Sequence, residues 1–210
     1  FTAEADIILP YYLDDDPALD RSSKEVSLFG MHSASTDDGG TRALNDTTWY
    51  ENDSVSFQVY AIRQKADSKN IYFKLTSSLT PISSTGTNST KYAFSPASDT
   101  TETTFEALTS SFFYDAYDDT RWNISVRLKP RNFGVTDMVS GAYNAFDYVY
   151  DLEFQGLNSN LGTIQNSFTL TASVSKAAAH NFLKSAKRLY VGSRRTNITG
   201  SVVAKSDVLF

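Results

Sequence analysis

Apolar and polar residues alternate with a period of two along much of the chain, the pattern of strands that bury one face. Val55–Ala61 places its odd-numbered residues on an apolar face, and Asn70–Leu75 does the same. Trp122 shares a face with Ile124, Val126 and Leu128, opposite polar side chains. Phe168–Val174 repeats the pattern. Each of these strands is predicted to have one face in a core and one in water.

Six further segments fit the same alternation less strictly, which brings the prediction to about ten strands. They are Ala5–Leu9, Val26–Met31, Phe112–Ala116, Tyr148–Phe154, Arg188–Gly192 and Ser201–Phe210. One short helix is predicted over Lys176–Ser185, with Ser175 as its N-cap and Ala179, Phe182, Leu183 and Ala186 at helical spacing. This pattern predicts an all-β protein built as an antiparallel two-sheet sandwich with one short helix.

Nothing in the chain suggests a domain boundary, because no repeat and no Pro- or Gly-rich linker divides it. We therefore expect one domain over 1–210, cut from a larger chain, since the sequence begins at Phe1 without a leader pattern. The first and last strands of a closed sandwich should lie side by side, which would suit insertion into a larger protein. Ser77 to Thr104 is predicted to be a long contact loop, with at most one strand near Tyr92–Phe94.

Composition excludes several classes of function. The chain has no cysteine and therefore no disulfides or thiolate chemistry, and its net charge of −5 is the wrong sign for general nucleic-acid binding. It has no apolar run long enough to span a membrane. His32 and His180 are the two histidines, and neither lies in a nucleophile motif. These observations weigh against an enzyme.

Three segments resemble a known family. Arg188 to Val208 is similar to the terminal strands of concanavalin A-like, laminin-G-type jelly rolls. Asp118 to Val126 resembles the strand of that family that begins D-G-x-W-H, although this chain has no glycine there and Asn123 stands in place of the histidine. Phe1 to Leu9 fits the family's first strand. The combination is also similar to segments of large structural proteins of marine tailed phages.

The resemblance implies a jelly-roll sandwich, but such domains act as lectins, adhesion modules, glucanases and virion components. Glucanases of this superfamily carry three carboxylates at period-two spacing on one strand. The nearest match here runs from Asp147 to Glu153, with Val149 where a further acid is needed. The competing interpretation is that Asp151 and Glu153 pair with Arg127 and Lys129 on a neighbouring strand. We favour the ion pairs and expect no catalytic residues.

Calcium is the cofactor that the acidic turns would suit, because hard cations prefer several oxygen ligands. The laminin-G resemblance also implies a calcium site at one rim of the sandwich, and Asp118 and Asp119 are the candidate ligands. The alternative is that these acids are solvated turn residues. We expect no obligatory cofactor.

A sugar site needs an exposed aromatic ring beside hydrogen-bonding groups. The candidate carbohydrate-binding residues are Trp49, Tyr50, Tyr114, Tyr117, Tyr143 and Asn144. The predicted function is a non-catalytic structural or adhesive module of a larger extracellular assembly, with a virion as the leading candidate, whose partners are other chains or domains. The alternatives are a lectin-like module that binds a surface glycan and, less favoured, a glycosidase that uses Asp151 and Glu153.

Overall fold

The fold is an all-β sandwich of two antiparallel sheets, as the alternating pattern predicts. The structure is a computed structural model that describes residues 1–11, 25–34, 53–64, 68–81, 90–91, 104–131, 150–174, 179, 182–183, 187–195, 202–205 and 208–210. Within them lie β1 (Thr2–Leu9), β2 (Glu25–Ala34), β3 (Asp53–Arg63), β4 (Ile71–Pro81), β5 (Thr90–Lys91), β6 (Thr104–Thr109), β7 (Thr120–Pro130), β8 (Tyr150–Asn160), β9 (Thr163–Val174), β10 (Lys187–Val191), β11 (Ser193–Arg195) and β12 (Val202–Lys205).

One sheet has four strands in the order β1-β7-β8-β9, and the other has six in the order β10-β2-β3-β4-β6-β5. A small third sheet pairs β11 with β12. The chain thus crosses between the large sheets after β1, after β6 and after β9. Long runs of consecutive strands form meanders on each side, and the jelly-roll connection that the resemblance implies stays a prediction.

The core lies between the two large sheets and is rich in aromatic rings. Trp122 on β7 is 1% exposed, and its ring centroid lies 4.8 Å from those of Phe73 and Phe113. Ile124, Val126 and Leu128 are buried on the same side of the strand. The predicted inward face of β7 is therefore confirmed.

The strands β2 and β3 depart from the prediction of one wet face. Phe57, Val59 and Ala61 are buried as expected, but so are Gln58 and Tyr60 on the opposite face of β3. The amide nitrogen of Gln58 donates hydrogen bonds of 2.9 Å to the hydroxyl of Ser27 and to the carbonyl of Phe29, which satisfies it away from water. The β11–β12 pair contacts the neighbouring strand β2. A single strand's alternation cannot reveal that both of its faces are buried.

Three sequence predictions need correction. Phe112–Ala116 is not a strand, because only Phe113 makes a bridge, to Ile71, before the chain turns. The interval from Ser77 to Thr104 is not one long loop, since β4 continues to Pro81 and β5 falls within it; 82–89 and 92–103 lie outside the described residues. The predicted C-terminal strand Ser201–Phe210 is shorter in the structure, where β12 spans Val202–Lys205 and pairs with β11.

The predicted helix is described at three positions, Ala179, Phe182 and Leu183, which have helical backbone. Ala179 and Phe182 are buried, whereas Leu183 is exposed. The two ends of the chain lie close together, as predicted: Ile8 and Leu209 exchange two backbone hydrogen bonds, of 2.9 and 3.1 Å. The contact is an isolated bridge, however, because the last strand, β12, pairs with β11 and not with β1.

Candidate functional site

A turn-rich segment at one end of the sandwich carries the most exposed aromatic side chain among the described residues, that of Tyr114. It runs from 110 to 119 and is fixed to β4 by backbone hydrogen bonds between Phe113 and Ile71, of 2.7 and 3.0 Å. Asp115 and Asp119 have φ angles of 51° and 56°, in the left-handed region that aspartate tolerates better than most residues. The reversal at Asp115 interrupts the predicted strand. Residues 114 and 115 are exposed, 116 and 117 are buried, and 118 and 119 are exposed again.

Tyr114 points outward and is 77% exposed, whereas Tyr117 is 1% exposed. The Arg63 guanidinium carbon lies 4.0 Å from the centroid of the Tyr117 ring, in cation–π contact. Tyr117 is therefore a core residue, and its prediction as an exposed sugar platform is wrong. Each tyrosine is followed by an aspartate in the sequence, and the turn geometry separates the two rings.

Two more aromatic rings are exposed in this region, those of Tyr11 and Phe112. Phe112 packs edge-on against Tyr72 at 5.1 Å between ring centroids. Tyr11 directly follows β1 and Pro10, and the Nζ of Lys69 lies 4.7 Å from its ring centroid. We call Tyr11, Lys69, Phe112, Tyr114, Asp115 and Asp118 the rim surface.

Polar contacts hold the rim surface in place. The Nζ of Lys69 lies 3.1 Å from Oδ1 of Asp118, and the backbone N–H of Asp115 donates to Oδ1 of Asn70 at 3.1 Å. The hydrogen bond from Lys69 to Asp118 raises the pKa of the lysine above its ordinary value, against a smaller opposing effect of desolvation. The rim surface thus presents rings, one cation and several acceptors side by side.

Sequence analysis did not find Tyr11, Lys69, Asn70 or Phe112. The four come from three segments far apart in the chain, and none lies in a local motif. The only usable signal was the acid-rich turn around Asp115 and Asp118, which lies at the same end of the sandwich as these four residues.

The proposed calcium ligands already accept hydrogen bonds within the protein. Oδ1 of Asp119 accepts from the backbone N–H of Tyr11 at 2.7 Å, while Oδ1 of Asp118 contacts Lys69. In the part of the chain that the structure describes, no three His, Asp or Glu side chains form a group that could hold a metal ion. Calcium binding at Asp118 and Asp119 stays a prediction.

The remaining candidate sugar residues, Trp49, Tyr50, Tyr143 and Asn144, lie outside the described residues. So do Asp147 and Val149 of the acidic segment.

Asp151 and Glu153 lie on the outer face of the four-stranded sheet, each engaged by cations. The Nζ of Lys129 lies 2.5 Å from Oε2 of Glu153, and an Arg127 nitrogen lies 3.7 Å from Oε1. The predicted pairing is confirmed for Glu153. Asp151 instead accepts hydrogen bonds from Nε of Arg131, of 3.0 and 3.1 Å to its two oxygens. Both acids are therefore engaged in ion pairs with the protein's own basic side chains.

Comparison with known proteins does not identify the chain: no protein-family model, no curated protein and no solved structure matches it. The concanavalin A-like resemblance and the similarity to phage structural proteins stay predictions. A membrane-crossing helix, which would need to be long and apolar, does not occur among the described residues.

Proposed function

We propose that the chain is a non-catalytic structural or adhesive module of an extracellular assembly, for which a virion is the leading candidate. The observation that carries this proposal is the rim surface. Tyr11, Phe112 and Tyr114 expose their rings at one end of the sandwich, on a segment anchored by backbone hydrogen bonds. Exposed aromatic residues on a rigid scaffold are typical of contact surfaces, since they bury large areas at small entropic cost.

The outer face of the four-stranded sheet supports a non-catalytic role. Glu153 has a cation at each carboxylate oxygen, and Asp151 receives a guanidinium. A glycosidase needs two carboxylates directed at a substrate. Here both acids are directed at the protein's own basic side chains.

The alternative proposal is a lectin-like module whose sugar site is the rim surface, with or without calcium. The observation that favours it is the setting of Tyr114, which follows the anchored Phe113 and precedes Asp115, close to Asn70. A pyranose could lay its apolar face on the ring and bond its hydroxyls to the neighbouring oxygens. The other candidate platforms, Trp49, Tyr50, Tyr143 and Asn144, remain available to this alternative.

A glycan array probed with the chain, with and without calcium chloride, separates the two proposals. Tyr114→Ala is the test variant, and Ile164→Ala is the matched control, since Ile164 is also exposed but belongs to the β8–β9 hairpin. Glycan binding that Tyr114→Ala abolishes and Ile164→Ala preserves would favour the lectin. A rise in melting temperature with calcium would support the calcium-dependent form, because a ligand of the folded state stabilises it by mass action.

The structural proposal predicts a protein neighbour at the same surface. A photo-crosslinking phenylalanine analogue at position 114 of the native full-length protein should capture an adjacent domain or chain in the intact assembly, whereas the same analogue at position 189, which is exposed on β10, should not. Cleavage of β-glucans that Glu153→Gln abolishes would instead overturn the non-catalytic proposal.

A further inference from the structure

The strand β9 forms one edge of the four-stranded sheet, and its sequence is unusual for an edge. It has 12 residues, none of them charged and none proline. It pairs only with β8 among the described strands, and no other described residue makes a backbone hydrogen bond to it. Alternate backbone N–H and C=O groups of β9 therefore point away from the sheet with no described partner.

The other outer strands of the two large sheets carry features that block strand addition, and β11 and β12 of the small sheet have only three and four residues. β1 carries Glu4 and Asp6 and is partly covered where Ile8 bonds to Leu209. β10 has five residues, of which Lys187 and Arg188 are basic, and β5 has two residues. Natural proteins use charge, short length and covering segments in this way to prevent edge-to-edge pairing. β9 lacks all three.

The side chains of β9 are also suited to a neighbour of the same kind. Thr169 and Thr171 lie on its outer face, exposed, whereas Phe168 and Leu170 point toward the core and are only partly buried. From Asn166 to Val174 the register with β8 is uninterrupted, so this stretch has no bulge to disturb a new partner. A second β9 running antiparallel would bring neutral groups opposite neutral groups, without the repulsion that two copies of β1 would suffer.

We propose that β9 pairs antiparallel with β9 of a second copy of this chain, joining two four-stranded sheets into one of eight strands across a two-fold axis at Thr169. In that register, Thr169 faces its own counterpart. Phe168 of each copy lies opposite Leu170 of the other, so the residues that the fold leaves partly exposed are covered in pairs. Cross-strand threonine pairs and apolar pairs both stabilise a sheet.

Pairing through one strand buries less surface than a standard stable interface of roughly 1,600 Å². The isolated chain should therefore dimerise weakly and reversibly. In an assembly that holds many copies close together, the effective concentration would make the same contact persistent. The proposed dimer depends on the edge strand β9 and not on the rim surface. If the dimer does not form, the function proposed for the rim surface still stands.

Single-cysteine crosslinking tests both the partner and the register, because the chain has no cysteine of its own. Thr169→Cys should form a covalent dimer under mild oxidation, since directly opposed residues of an antiparallel pair have Cβ atoms about 4.5–5.5 Å apart. Ser173→Cys is the matched control on the same strand and face. In the proposed register its two copies lie roughly 27 Å apart, at about 3.4 Å per residue, and should not crosslink.

Sedimentation velocity over a concentration series provides a measurement without any covalent bond. The unmodified chain should show concentration-dependent dimerisation. Thr169→Lys should weaken it by about tenfold or more, because two lysines would face each other across the axis. Thr2→Lys, the same change at an exposed threonine of β1, should leave it unchanged.

A chain that stays monomeric at every concentration, with no Thr169→Cys dimer, would overturn the proposal. Equal crosslinking of Thr169→Cys and Ser173→Cys would overturn the register. Dimerisation that Thr2→Lys disrupts and Thr169→Lys spares would assign the contact to β1 and overturn the proposal for β9.

Discussion

The ring of Phe168 on β9 lies directly over Gly156, its cross-strand partner on β8. A Cβ atom added at Gly156 would lie 2.2 Å from Cε1 of Phe168 and 3.0 Å from Cδ1 of Ile124. The absence of a side chain at Gly156 lets the ring reach inward, where it stacks with Phe73 at 5.5 Å and meets Phe154 at 5.0 Å between centroids. The edge strand is thereby tied to the aromatic core.

Gly156→Ala should destabilise the fold by about 1–3 kcal/mol, the range for overpacking a core. The added methyl group must displace the Phe168 ring. In a Phe168→Ala background the same substitution should cost much less, because the space is then vacant. Urea denaturation of the four proteins in this double-mutant cycle measures the difference, and equal costs in both backgrounds would contradict the close approach.

Leu161→Asn should stabilise the protein. Leu161 and Gly162 form the two-residue turn between β8 and β9 with φ angles of 49° and 80°, as in a type I′ turn. Leu161 is 99% exposed, so its side chain gains nothing from packing while its backbone is strained. Asparagine tolerates this conformation, and the gain should be about 1 kcal/mol.

The control for that prediction is Ile164→Asn, which also replaces an exposed aliphatic residue in the same hairpin but has no positive φ. It should not raise the melting temperature. If both variants stabilise the protein equally, the gain comes from replacing an exposed aliphatic side chain with a polar one, and relief of backbone strain at Leu161 does not contribute.

Trp122→Ala should cost about 3–5 kcal/mol, as expected for removing a large aromatic side chain from a core. The ring packs against Phe73 and Phe113, and its Nε1 donates a hydrogen bond of 3.0 Å to the Thr120 hydroxyl. Tyr114→Ala, an exposed aromatic substitution, should change the free energy of unfolding by less than about 0.5 kcal/mol. Chemical denaturation compares the two, and a Trp122→Ala loss near that of Tyr114→Ala would contradict the packing.

Asp118→Asn should lower the pKa of Lys69 toward its ordinary value of 10.5, because the hydrogen bond to Asp118 is the largest cause of the raised value. A base whose pKa is higher in the folded state stabilises that state below pH 10.5, and this contribution disappears as the pH rises through the folded-state pKa. NMR titration of the lysine side chain measures the shift. Asp115→Asn should produce a smaller change, since Asp115 acts on Lys69 through charge alone.

The sequence by itself determined the fold class and the orientation of several strands. Period-two alternation is a local property, so the inward face of β7 at Trp122, Ile124 and Val126 could be predicted from neighbours in the chain. The opposite charges on the polar faces of β7 and β8 also predicted the pairing of Glu153 with Arg127 and Lys129. They did not predict that Asp151 pairs with Arg131.

Only the tertiary structure decided which strands are buried on both faces, which side chains the turns expose, and which strands lie at the sheet edges. Gln58 and Tyr60 lie on the face of β3 that alternation assigns to water, yet they are buried, because the burial of that face depends on residues outside the strand. Tyr114 and Tyr117 have similar neighbours, yet the positive φ of Asp115 leaves one ring exposed while the other packs beneath Arg63. Sheet order likewise left β9 at an edge, because strand pairing depends on contacts between distant residues that local alternation does not encode.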